Sequence, residues 1–64
     1  MKDLYEVMHY GTITHDYQWE EHFTDRPIKF RRVRIFLYEG RYILVEELDG
    51  MIIDTAELGK EEAE

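Results

Sequence analysis

Hydrophobic and polar positions alternate most regularly in the second half of the chain. Lys29–Tyr38, Arg41–Leu48 and Met51–Leu58 are rich in β-branched and aromatic residues, and turn pairs separate them. Glu39-Gly40 joins the first two segments and Asp49-Gly50 joins the last two. Asp-Gly suits a type I′ hairpin turn, which requires positive φ at both central residues, and Glu-Gly is a weaker form of the same signal. Two tight turns in succession predict a three-stranded antiparallel meander.

With two-residue loops, side chains separate by period two. Val33, Ile35 and Leu37 then share a face with Tyr42, Leu44 and Leu48, and Met51 and Ile53 join them. The opposite face carries Phe36, Ile43, Val45, Ile52 and Ala56. Both faces are partly apolar, whereas a sheet with one wet face alternates more cleanly. A cover for the second face is therefore expected: the N-terminal segment, a second copy of the chain, or a partner. Phe36, Ile43, Val45 and Ile52 form the candidate self-association face.

The N-terminal segment carries two competing signals. Asp3 with Glu6 forms a capping-box pattern, Leu4, Val7 and Met8 have helical spacing, and Gly11 can stop a helix after Tyr10. Against this, Tyr5, Val7, Tyr10, Thr12, Ile13 and Thr14 prefer strands, and so short a helix is marginal alone. The balance predicts a strand over Leu4–Thr14. For Asp16–Thr24 the expectation is a short helix or ordered loop, with Asp16 as cap and Trp19 and Phe23 on one helical face. The period-two alternative puts Ile13, His15, Tyr17, Trp19 and Phe23 on one side of a strand. Pro27 disfavours helix at Arg26 and ends this segment.

The expected fold class is thus α+β, mainly β: an N-terminal strand, a short helix or ordered loop, then the meander, as a four-stranded sheet or partly open small barrel. Residues 1–58 form one domain, and Gly59 ends the last strand before an acidic, frayed tail over residues 59–64.

Composition narrows the function classes. The chain has 64 residues, 44% of them hydrophobic, a net charge of -7 and no cysteine. That leaves room for one small domain with a thin core and excludes disulfide scaffolds and cysteine metal sites. No run approaches the roughly 18 apolar residues of a membrane span. The Met1-Lys2-Asp3-Leu4 start lacks the pattern of a signal peptide, so a cytoplasmic location is expected.

Candidate chemistry is sparse. His9, His15 and His22 are six and seven residues apart, a spacing that matches no zinc motif, and a set of polar surface residues is the favoured reading. Serine and cysteine are absent, the glycines form no phosphate-cradling loop, and no nucleophile sits in a triad context. No catalytic residue, metal or cofactor is expected. Arg26, Lys29, Arg31, Arg32 and Arg34, interleaved with Phe30 and Phe36, form the one basic run. They suggest a nucleic-acid-binding strand, but the net charge opposes it. Pairing with the acidic strand Arg41–Leu48, with Glu47 opposite Arg32, is the preferred reading. On an edge strand these charges would also block sheet growth.

The acidic surface is the remaining feature. Glu20 and Glu21, then Glu46, Glu47, Asp49, Asp54 and Glu57, cluster in two places, and Tyr17 and Trp19 lie near the first. These are the candidate partner-binding residues. They point to a non-catalytic acidic protein-binding module: a small regulator or inhibitor, of the kind a phage or mobile element encodes, that docks on a host protein with a basic, even nucleic-acid-binding, surface. Homodimerisation through the sheet and weak nucleic-acid binding through Arg26–Arg34 are the alternatives.

Overall fold

A computed structural model describes residues 3–22 and 24–60. The order of elements is α1 (Leu4–Tyr10), β1 (Thr12–Glu21), β2 (Lys29–Tyr38), β3 (Arg41–Leu48) and β4 (Met51–Lys60). The strands form one antiparallel sheet in the order β1-β2-β3-β4. The class is as the pattern predicts, mainly β with one short helix and a meander, and the sheet is open rather than a barrel.

The three predicted meander strands are present, and β2 and β3 pair in the predicted register. Leu37 lies opposite Tyr42 and Ile35 opposite Leu44, while Leu48 pairs with Met51. Both turns use left-handed backbone, with φ of 48° and 73° at Glu39-Gly40 and of 49° and 82° at Asp49-Gly50. Asp49 also ties the second turn to β2: its carboxylate accepts from the Phe30 N–H at 2.8 Å, and its own N–H donates to the Phe30 carbonyl at 2.7 Å.

The two N-terminal elements are the reverse of the expectation. Residues 4–10 are helix. The Asp3 carboxylate caps the Tyr5 N–H at 2.9 Å, and the Gly11 N–H closes on the Val7 carbonyl at 2.8 Å. Local strand preference loses because the Leu4/Val7/Met8 stripe is buried: Val7 forms the core with Phe36 and Val45, and Leu4 and Met8 pack against it. Residues 12–21 are strand, and Asp16 caps no helix but binds Arg32 across the sheet. Alternation decides this segment, since Tyr17 and Trp19 fall on one face and Asp16, Gln18 and Glu20 on the other. The Phe23 part of the helical expectation lies outside the described residues.

Two register shifts in β4 alter the last strand. Ile53 and Leu58 are the extra residues, because pairing passes from Ile52–Glu47 to Asp54–Glu46 and from Glu57–Ile43 to Gly59–Tyr42. Ala56 therefore lies opposite Leu44, on the face with Ile35, and leaves the Phe36 face to which unbroken alternation assigned it. Gly59 does not end the strand. With φ of 136° it continues the pairing opposite Tyr42, and Lys60 follows opposite Arg41. The tail carboxylates Glu61, Glu62 and Glu64 lie outside the described residues.

The helix covers one face, and only near the β2–β3 turn. Seven residues at about 1.5 Å each span about 10 Å, against about 33 Å for a ten-residue strand. Val7, Phe36 and Val45 are 2%, 1% and 0% exposed. Gly11 makes this possible, since a Cβ there would stand 2.4 Å from the Val7 carbonyl oxygen and 3.3 Å from the Phe36 Cβ. Gly11→Ala is therefore expected to lower stability by about 1–3 kcal/mol, as overpacking does. Urea unfolding followed by circular dichroism measures the loss, and an unchanged midpoint would contradict the close-approach role.

Candidate interaction surface

Each face is completed differently. The covered face carries the helix at one end and paired charges beyond it. Asp16 grips Arg32 through two bonds of 3.0 and 2.8 Å, and Arg34 reaches Glu47 at 2.5 Å. The Arg34 and Glu47 side chains are each only 13% exposed, and the Arg34 guanidinium lies 5.4 Å from the Phe36 ring centre. Glu47 does sit opposite Arg32 in register, but its ion pair runs diagonally to Arg34. Arg41 and Glu57 pair on the same face at 2.5 Å.

The other face holds Val33, Ile35, Leu37, Tyr42 and Leu44 in its middle, all partly exposed. Tyr17 and Trp19 extend it along β1 at 55% and 43% exposure, and the His15 ring stacks on Tyr17 with centroids 6.0 Å apart. Met51 and Ala56 form its β4 edge, both exposed. No element of the described chain packs on this face. At its far end Arg31 links three strands: it pairs with Glu21 of β1 at 2.6 Å and with Glu46 of β3. Trp19 donates from its indole to Glu21 at 3.2 Å.

The candidate partner-binding residues therefore do not make one surface. Tyr17 and Trp19 lie on the open face. Glu20 points to the opposite side and meets His22 at 3.4 Å. Glu21, Glu46, Glu47 and Glu57 are each held by an arginine, and Asp49 is held by the Phe30 N–H and by Lys29 at 3.3 Å. Asp54 accepts from the Thr55 N–H at 2.9 Å. Of the self-association set, Phe36 and Val45 are sealed by the chain's own helix, Ile43 packs against that core, and Ile52 remains 40% exposed. The cover anticipated for that face is the N-terminal segment.

The residues that sequence reasoning passed over are the open ones, Val33, Ile35 and Leu44, which alternation placed together on one face but which were not among the candidate site residues. The amphipathic stripe of residues 4–8 was the signal, because one short helix can serve only one face.

The basic run is an inner strand, so its charges protect no sheet edge. Arg31, Arg32 and Arg34 are consumed by carboxylates of both neighbouring strands. His9 lies on the helix, His15 on the open face and His22 beyond β1, and among the described residues no three His, Asp or Glu side chains gather as metal ligands would. A cleft of about 440 Å³ beside the helix is lined by Leu4, Val7, Tyr38 and Ile43, together with Glu39 and the Arg41–Glu57 pair. No helix among the described residues is long and apolar enough to cross a membrane. No protein-family model, curated protein or solved structure matches the chain.

Three ionisable groups report this pairing. The Arg32 guanidinium holds the Asp16 carboxyl below its ordinary 3.8, and the Phe30 N–H followed by Lys29 does the same for Asp49. A depressed carboxyl contributes stability above its unfolded pKa and loses it as pH falls through the folded value. Stability should therefore drop below about pH 4. Asn tolerates the left-handed turn at position 49, so Asp49→Asn should show a smaller difference between urea midpoints at pH 7 and pH 3 than the parent. An equal difference would remove Asp49 from this account.

Tyr38 moves the other way. Its hydroxyl donates to the Glu6 carboxylate, which pushes the phenol up from 10.0 to about 12. The stability it adds is complete below pH 10 and lost as pH rises through 12. In an ultraviolet titration one tyrosine should ionise late, and Glu6→Gln should bring it back toward 10. Coincident titrations in the two proteins would mean that the Tyr38–Glu6 bond does not form in solution.

Proposed function

We propose that the chain is a non-catalytic interaction module whose working surface is the open face of its sheet. The single observation behind this reading is that the described chain places a helix and paired charges on one face and leaves the other, with Val33, Ile35 and Leu44 at its centre, without a cover. Contiguous exposed apolar surface on a soluble domain marks an interaction site. The engaged arginines weigh against nucleic-acid binding through Arg26–Arg34. The engaged carboxylates of the last hairpin likewise weigh against docking on a basic surface by charge alone. A regulator or inhibitor built this way binds by apolar burial, with the net charge of -7 keeping the free protein dispersed.

The test compares tagged parent protein, Leu44→Arg on the open face and Glu20→Arg on the other side. Each is used to capture binding proteins, or an untagged copy of the chain, from source cells. The parent and Glu20→Arg should capture the same species and hold it in about 0.5 M salt, where charge pairing is screened. Leu44→Arg should lose it. Capture that is indifferent to Leu44→Arg, or that vanishes with salt, would move the site off this face and favour the basic-partner reading.

A further inference from the structure

Resting on that reading, we infer that the occupant of the open face is a second copy of this chain, packed face to face about a two-fold axis that runs along the strands.

Three observations single out this occupant. The first is size. The chain exposes 5028 Å², against about 4,400 Å² for a folded monomer of its mass, and its radius of gyration is 13.6 Å against about 11 Å. The excess, about 600 Å², belongs to the whole elongated chain and not to this face alone, and it is of the same order as the roughly 800 Å² that each partner contributes to an ordinary stable interface. A single sheet with one short helix lacks the second layer that domains normally have, and a copy of itself supplies one.

The second is charge. Two chains of net charge -7 repel unless they meet where that charge is absent. The part of the open face from Ile35 and Leu44 to Leu37 and Tyr42 is such a place, since it carries no carboxylate, lysine or arginine. Toward the other end Arg31 is held between Glu21 and Glu46, a trio with one net negative charge, and Asp54 stands opposite Glu46 on the edge strand with its carboxylate on the Thr55 N–H. A copy that meets the uncharged part brings no like charge against it.

The third is shape together with blocked edges. Both edge strands carry the sheet's irregularities, Thr14 in β1 and Ile53 and Leu58 in β4. Bulges of this kind twist an edge away from further pairing, so growth by strand addition is disfavoured and the face remains. That face is bulky along β1 and slighter along β4. His15 is level with Ala56 and Trp19 with Met51. A two-fold axis along the strands lays β1 of one copy over β4 of the other, so His15 meets Ala56 and Trp19 meets the flexible Met51 at both margins. The two sheets then sit about 10 Å apart, as in aligned sandwiches.

The purified full-length chain, free of any other protein, provides the test. Sedimentation equilibrium across micromolar to near-millimolar concentration should give twice 7.8 kDa at the upper end. Leu44→Arg should weaken self-association about a hundredfold or more, since it buries an unpaired charge. If Leu44→Arg fails to fold, Trp19→Ala at the exposed margin should still shift the equilibrium toward monomer. Isotope-filtered NMR on a mixture of labelled and unlabelled chains should show contacts between the Trp19 indole of one copy and the Met51 methyl of the other. A folded 7.8 kDa monomer throughout, a dimer indifferent to both substitutions, or β1-to-β1 contacts would overturn the inference. A monomer that still loses another captured protein on Leu44→Arg would leave the interaction-module reading standing, so the two can fail separately.

Discussion

Val7 seated on Phe36 and Val45 is the contact on which the rest of the molecule depends. It is the whole of the fully buried core, and it exists because Gly11 lets the chain double back tightly from the helix onto β2. That one contact decides which side of the sheet is inside. With the helix committed to Phe36 and its neighbours, no other segment of the described chain remains to cover Val33, Ile35 and Leu44. The open face is therefore a consequence of how the one helix among the described residues is used.

The charges follow the same logic. In a thin protein, exposed ion pairs contribute little individually, yet their arrangement here carries specificity. Arg31 joins β1, β2 and β3 on one face, while Arg32 and Arg34 join the same strands on the other. A one-residue slip of β1 or β3 against β2 would carry the partner carboxylates to the wrong side of the sheet. The ionic ladder thereby protects register where hydrophobic burial is too slight to do so alone. It also removes the surface that a simple tally of acidic residues suggests, because the carboxylates of the last hairpin are engaged within the chain.

Both sheet margins carry register irregularities of the kind that hinder addition of further strands, and the face between them is apolar from Ile35 and Leu44 toward the β2–β3 turn. The proposed face packing rests on these two properties.

Much of this was legible in the residues themselves. The Glu39-Gly40 and Asp49-Gly50 turns, the meander and the β2–β3 register are short-range properties, set by backbone preference and by period-two alternation. The helix over residues 4–10 was legible only as a contest. Asp3 and Gly11 marked its ends, while Tyr5, Val7 and Tyr10 argued for strand, and burial of Val7 on residues some 30 positions away settled it. Alternation could say that both faces were apolar; it could not say which one the chain would cover. Nor could it place the bulge at Ile53 that carries Ala56 to the open side, or tell a free carboxylate from one held by an arginine of the neighbouring strand. Those outcomes rest on contacts between residues distant in sequence, whose energies appear only once the strands lie side by side, and so the tertiary structure alone decided them.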